Sequence, residues 1–105
     1  MANTFKNYPQ ANVSSNTVVF TAGAGVQATV IGMTVANRVT APITANVILH
    51  SGGTDYYLVK EATIAVGGAL VPVGGDQKLV LEAADSLAVS TSANSDVIVS
   101  VLEIS

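Results

Sequence analysis

Alternation of apolar and polar residues is what most constrains this chain. In "ITANVILH" (43–50), Ile43, Ala45, Val47 and Leu49 fall on one phase, and Thr44, Asn46, Ile48 and His50 on the other. A period of two puts successive side chains on opposite faces of a strand and does not suit a helix. Comparable short runs recur as "TVVFT" (17–21), "QATVIGMTVAN" (27–37), "TDYYLVK" (54–60), "ATIAV" (62–66), "ALVPV" (69–73), "KLVLE" (78–82), "SLAVST" (86–91) and "DVIVSVLEI" (96–104). Between them stand turn formers: Ala22-Gly23-Ala24-Gly25, Ser51-Gly52-Gly53, Gly67-Gly68, Gly74-Gly75-Asp76, Ala83-Ala84-Asp85 and Ala93-Asn94-Ser95. Strands spaced by about eight to twelve residues and punctuated by such turns predict an all-β sandwich or barrel. We expect two antiparallel sheets of about eight or nine strands, jelly-roll-like or immunoglobulin-like.

The vocabulary fits sheet-on-sheet packing. A chain of 105 residues makes one domain, and its apolar half is mostly Val, Ala, Leu and Ile, with two Phe, three Tyr and no Trp. The expected inward sets are Ile31/Met33/Val35, Ile43/Ala45/Val47/Leu49, Leu79/Leu81, Leu87/Val89 and Val97/Val99/Val101. Gly32 and Ala36, on the other phase of their run, suggest a bulge or a close backbone approach. Pro72 makes "ALVPV" an edge strand or a bulged one.

Charge narrows the function classes. Four basic residues stand against seven acidic ones, and Lys6, Arg38, Lys60 and Lys78 are scattered. Nucleic-acid binding needs a basic footprint to displace phosphate counterions, so we expect none. Only 10% of residues are charged, low for a surface that faces water throughout, and the expectation is a subunit that hides surface against neighbours. The absence of Cys leaves no disulfide framework or thiolate site. No apolar run approaches the ~18 residues of a membrane span, and the polar start lacks the apolar core of a secretory leader. The sequon Asn12-Val13-Ser14 is accordingly read as coincidence.

The chemistry-bearing residues are few. Gly23-Ala24-Gly25 precedes a strand, whereas a phosphate-binding fingerprint precedes a helix, so it reads as a turn. His50 ends a strand; a triad would need a Ser and a carboxylate brought to it in space. Glu82, Asp85 and Asp96 would bind a cation or act as acid and base if they converged, but "EAADS" fits turn chemistry, with Asp accepting backbone N–H groups. We expect no catalytic residue, cofactor or metal. Tyr56-Tyr57 beside the Gly52-Gly53 turn places one ring on each face of a strand, and an exposed ring there would anchor a partner. Residues 1–16 are polar and weakly periodic, and we read them as an N-terminal arm before a sandwich domain over 17–105. Phe5 and Tyr8 are the arm's large apolar groups, docking on the domain itself or on a neighbouring subunit.

The stretch "TDYYLVKEATIAVGGALVP" (54–72), followed by "KLVLEAADSLAVSTSANSDVIVSVLEIS" (78–105), resembles small β-sandwich structural proteins of tailed bacteriophage virions, those of marine and cyanobacterial phages among them. "TVVFTAGAGVQATVIGMTVAN" (17–37) resembles their first hairpin, so the resemblance spans 17–105. It implies a non-enzymatic particle component located in the virion, which is assembled in the host cytoplasm. The placement it favours is a capsid decoration (cement) protein on the major capsid protein, a homo-oligomer with a trimer preferred. A tail, neck or fibre-associated subunit is the alternative within a particle. A carbohydrate- or host-surface-binding sandwich module is the alternative outside that class.

Overall fold

In the computed structural model, which describes residues 3–73 and 78–104, the chain is all-β: two antiparallel sheets packed as a sandwich. Nine strands occur among the described residues: β1 (Asn3–Val13), β2 (Thr17–Thr21), β3 (Gln27–Asn37), β4 (Ile43–Ser51), β5 (Thr54–Ile64), β6 (Ala69–Val73), β7 (Leu79–Leu81), β8 (Ser86–Thr91) and β9 (Ser95–Ile104). The expected Gly74-Gly75-Asp76 turn lies outside the described residues.

The pairing is that of one long hairpin, folded at Gly52-Gly53 and rolled up. Both glycines have positive φ, 59° and 81°, as a two-residue turn matched to the twist of its strands requires. Outward from it, β4 pairs with β5, β3 with both β6 and β7, β2 with β8, and β1 with β9. Rolling closes the hairpin through β3·β9 and β4·β8, giving sheet orders β1-β9-β3-β6, with β7 also on β3, and β2-β8-β4-β5. Of the two expected architectures, this is the jelly roll, with one strand position shared by β6 and β7.

The core lies between the sheets. Val97, Val99 and Val101 of one sheet and Val47, Leu87 and Val89 of the other have no exposed surface. Ile43, Ala45, Met33, Val35 and Leu81 are buried as expected, while Leu49 and Leu79 are partly buried against the cluster. One expected inward residue is not there. Ile31 is 36% exposed, and Val30 is buried in its place. In the β3·β9 ladder Val30 pairs with Val101 and Gly32 with Ser100, so Ile31 is the extra residue of a bulge. The bulge slips the phase: Ala28 and Val30 point inward before it, Met33 and Val35 after it. Gly32 has open space where a Cβ would stand, so it marks the bulge and not a close approach.

The first strand belongs to the same roll. Residues 3–13 of the expected arm form β1, the edge of the five-stranded sheet, registered on β9 from Asn3↔Ile104 to Gln10↔Val97. Its end is tied down by buried polar groups. The Val13 carbonyl accepts from the hydroxyls of Thr91 (2.8 Å) and Ser95 (3.0 Å), and the Thr91 N–H donates to the Ser14 carbonyl at 2.7 Å. A bulge at Asn12, in the left-handed region at φ 57°, is held from both sides. The Asn12 N–H donates to Asp96 Oδ1 at 3.3 Å, and the Arg38 guanidinium donates to Asn12 Oδ1 at 2.5 Å while its Nε lies 3.4 Å from Asp96 Oδ2.

Candidate functional site

The expected interface tyrosines and phenylalanine separate. Tyr8 turns inward: its ring lies 4.9 Å from that of Phe20, tilted by 52°, and its hydroxyl donates to Glu103 Oε2 at 2.6 Å. The Glu103 carboxylate accepting that proton, then burial, then the same negative charge, push the Tyr8 hydroxyl up to about 12. Phe5, three residues earlier and on the opposite phase of β1, is 72% exposed. Tyr56 and Tyr57 are both half exposed, at 55% and 52%. Tyr57 pairs with Ile48 on the outer face, with Lys60 Nζ 5.2 Å from its ring centroid, a cation–π contact. Tyr56 pairs with Leu49 on the inner phase, but at the hairpin end, where the opposite sheet leaves it uncovered.

Around Tyr57 the outer face of the four-stranded sheet gathers the polar chemistry. His50 Nδ1 and Asp55 Oδ1 are 2.6 Å apart across the β4–β5 hairpin, and Ser86 of β8 is the register partner of His50 on the other side. Asp55, His50 and Ser86 thus form a row across three strands. The row differs from a working triad in two respects. No hydrogen bond joins Ser86 to His50 among the described residues, and the His50 and Asp55 side chains are 50% and 61% exposed. A triad carboxylate is buried, so that it fixes the imidazole's tautomer and orientation. Beside the row, Val18, Ile48 and Ala88 with Asn16 line an open hollow of about 290 Å³. It is a shallow contact surface, not an enclosed ligand cavity.

In the "EAADS" turn, Asp85 accepts a backbone N–H as expected. Asp85 is buried, and its Oδ2 accepts the Glu82 N–H at 3.0 Å, while the Asp85 N–H donates to the Glu82 carbonyl at 3.0 Å. That turn is tied to Ala22 by two further backbone bonds of 2.9 Å. Asp96 sits opposite Ala36 near the end of β3, whereas Leu81, which leads into the Glu82 turn, sits opposite Ala28 near its start. The three carboxylates therefore do not converge, and among the described residues no group of three potential metal ligands occurs. Gly23 and Gly25 lie in the turn between β2 and β3, where the Val26 N–H donates to the Gly23 carbonyl at 3.1 Å.

The outer face of the five-stranded sheet is the surface the sequence reading did not single out. Phe5 of β1, Leu102 of β9, Thr29 of β3 and Val80 of β7 form one row across it. Pro9 and Ile98 begin a second row, which continues through Thr34 to Val71 in the irregular part of the β3·β6 pairing. Val80, Val71 and Ile98 are about half exposed. The signal was present: Val80 lies between the inward Leu79 and Leu81, and Ile98 between Val97 and Val99. An apolar residue out of phase with its own buried set must face outward.

No family model, curated protein or solved structure matches this chain. Among the described residues, no helix is long and apolar enough to cross a membrane.

Proposed function

We propose that this protein is a non-enzymatic structural subunit of a virion, a capsid decoration protein that adds contact area to the major capsid shell. The observation that carries this reading is the distribution of its surface. Large apolar side chains stand half exposed on both outer faces and at the β4–β5 hairpin, while the openings beside them are shallow. A chain with 10% charged residues that presents Phe5, Tyr56, Tyr57, Val71, Val80 and Ile98 to water is suited to burying surface against other proteins. The resemblance of 17–105 to phage virion sandwiches supplies the kind of particle. Tyr56 and Tyr57, adjacent in the β4–β5 hairpin and half exposed, are the shell-binding residues in this reading, since Tyr brings large contact area at low entropy cost. Tyr8 is not among them, because its ring and hydroxyl are already engaged within the fold.

The test is decoration of bare shells by the full chain. Binding at one fixed ratio to the major capsid protein, in hundreds of copies per particle, is expected, and Tyr56→Ser with Tyr57→Ser should weaken it at least tenfold with unchanged melting. A low copy number confined to one vertex would place the protein in the tail or neck. A second reading has one observation behind it: Tyr57, exposed on the same outer face as the His50–Asp55 pair, offers stacking and hydrogen bonding to a carbohydrate. Glycan-array binding that is lost in the same double variant, without shell binding, would favour it.

A further inference from the structure

We infer that the hollow over Ile48 and Ala88, on the outer face of the four-stranded sheet, is a binding subsite for one neutral pyranose unit. The inference rests on the carbohydrate reading above; it seats the sugar in the hollow beside Tyr57 and fixes its charge. Two register rows build the site. Val18, Ala88, Ile48 and Tyr57 run across β2, β8, β4 and β5, and Thr21, Ser86, His50 and Asp55 run beside them. Ile48 and Ala88 are each 8% exposed, so the floor is apolar and low. Val18 and Tyr57, both about half exposed, stand up at its two ends.

Polar groups without a protein partner surround that floor. His50 Nδ1 and Asp55 Oδ1 hold each other at 2.6 Å. Among the described residues, no protein group bonds to His50 Nε2, Asp55 Oδ2, the Ser86 hydroxyl or the Asn16 side-chain amide, and all four residues line the hollow. On the far side of the apolar row, the same sheet closes such groups on one another. Asn46 Nδ2 donates to Ser90 Oγ at 3.1 Å, and Asn46 Oδ1 accepts the Glu61 N–H at 2.8 Å. Around the hollow, donors and acceptors are left for a ligand.

A pyranose matches both features. Its ring presents a patch of C–H groups, which suits the Ile48–Ala88 floor and the electron-rich face of the Tyr57 ring. Hydroxyls around its edge both donate and accept, as a mixed set of carboxylate, imidazole, hydroxyl and amide requires. A ring lying flat needs no deep cavity, and the opening of about 290 Å³ is at the small end of ligand sites. An acidic sugar is disfavoured, because its carboxylate would face Asp55, and Lys60 is turned to the Tyr57 ring.

The test is saturation-transfer NMR of the full chain with the methyl pyranosides of glucose, galactose and mannose. At least one should bind with a dissociation constant on the order of 1–10 mM, with amide shifts gathered at 16–18, 48–50, 55–57 and 86–88. Ala88→Leu fills the hollow and should weaken that binding at least about tenfold, with melting unchanged. Asp55→Ala, at a side chain 61% exposed, should do the same and stands in if Ala88→Leu misfolds. A methyl sialoside should bind more weakly than the best neutral sugar. No transfer to any of the neutral pyranosides at about 100 mM overturns the inference together with the carbohydrate reading. Binding lost in Tyr57→Ser but kept in Ala88→Leu and Asp55→Ala overturns the hollow alone, and equal binding of the sialoside overturns the choice of a neutral sugar.

Discussion

On the outer face of the four-stranded sheet, Lys60 lies against Tyr57, His50 bonds to Asp55, and the Glu61 N–H donates to Asn46 Oδ1. Across the sandwich, the outer face of the five-stranded sheet has Phe5, Leu102, Val80, Ile98 and Val71 separated by Thr, Ser and Gly, with Asp96 at its end. The inner faces show no such contrast. Both present Val and Leu with no exposed surface, because both meet the same requirement for dense, dry packing. Outer positions are not bound by that requirement, so their composition reports what lies outside the molecule. One sheet sets charged and polar contacts beside its exposed Val18 and Tyr57. The other alternates apolar residues with small polar ones, with Asp96 as the charged group among its described strand residues.

The largest expected effect concerns whether the apolar sheet is whole without its edge. Deleting residues 1–13 removes β1 from β9, along with buried Val13 and the Tyr8–Phe20 contact. In a domain whose entire stability is about 5–15 kcal/mol, loss of an edge strand anchored this way should abolish cooperative thermal unfolding. A truncated chain that melts like the full one would show β1 to be a detachable arm. Next comes the contrast of inside with outside on one short strand. Leu81→Ala should cost about 2–5 kcal/mol in denaturant unfolding. Its neighbour Val80→Ala should cost under about 0.5 kcal/mol in the monomer, as surface changes do. Equal costs would mean the outer face is already covered.

Tyr8→Phe comes third, at on the order of 1–2 kcal/mol for a hydrogen bond to a carboxylate. Its pH dependence has a definite sign. The hydroxyl is raised to about 12 in the folded protein, against about 10 unfolded. The stabilisation is therefore complete below pH 10 and is lost as pH rises through 12. Wild-type stability should fall over that window, and the Tyr8→Phe chain should fall less. Glu61→Gly tests the charged face. Glu61 occupies a β5 bulge at φ 54°, where glycine carries no steric penalty. A gain of about 0.5–1 kcal/mol in chemical denaturation is expected, and a loss would assign the side chain a contact of its own. The smallest effect is nil: Ca²⁺ and chelators should leave the melting temperature where it is, since Glu82 and Asp85 lie at one end and Asp96 at the other. A rise with Ca²⁺ concentration would reveal a native-state site by mass action.

The all-β class, the sandwich and most of the inward set were legible in the chain itself, because alternation and turn chemistry are local properties. Val97/Val99/Val101 and Leu87/Val89 declare their face within a few residues, and Gly52-Gly53 declares its turn by needing two positive φ angles. "EAADS" likewise declares its turn, since Asp85 reaches the Glu82 N–H only three residues away. What only the tertiary structure decided was everything that depends on which strand lies beside which. The bulge at Ile31 exists because β3 must register on β9, a strand far along the chain, and that register turned Val30 in and Ile31 out. The same long-range pairing made β1 an edge strand, turned Tyr8 inward and left Phe5 outside, although the two differ little in apolar size. It also brought Ser86 alongside His50 and laid Phe5, Leu102, Thr29 and Val80 in one row from four separate segments. Alternation assigns a residue to one of two faces. Which neighbours it meets there, and whether the face meets water, is set by the rolling of the hairpin, and no local period encodes that.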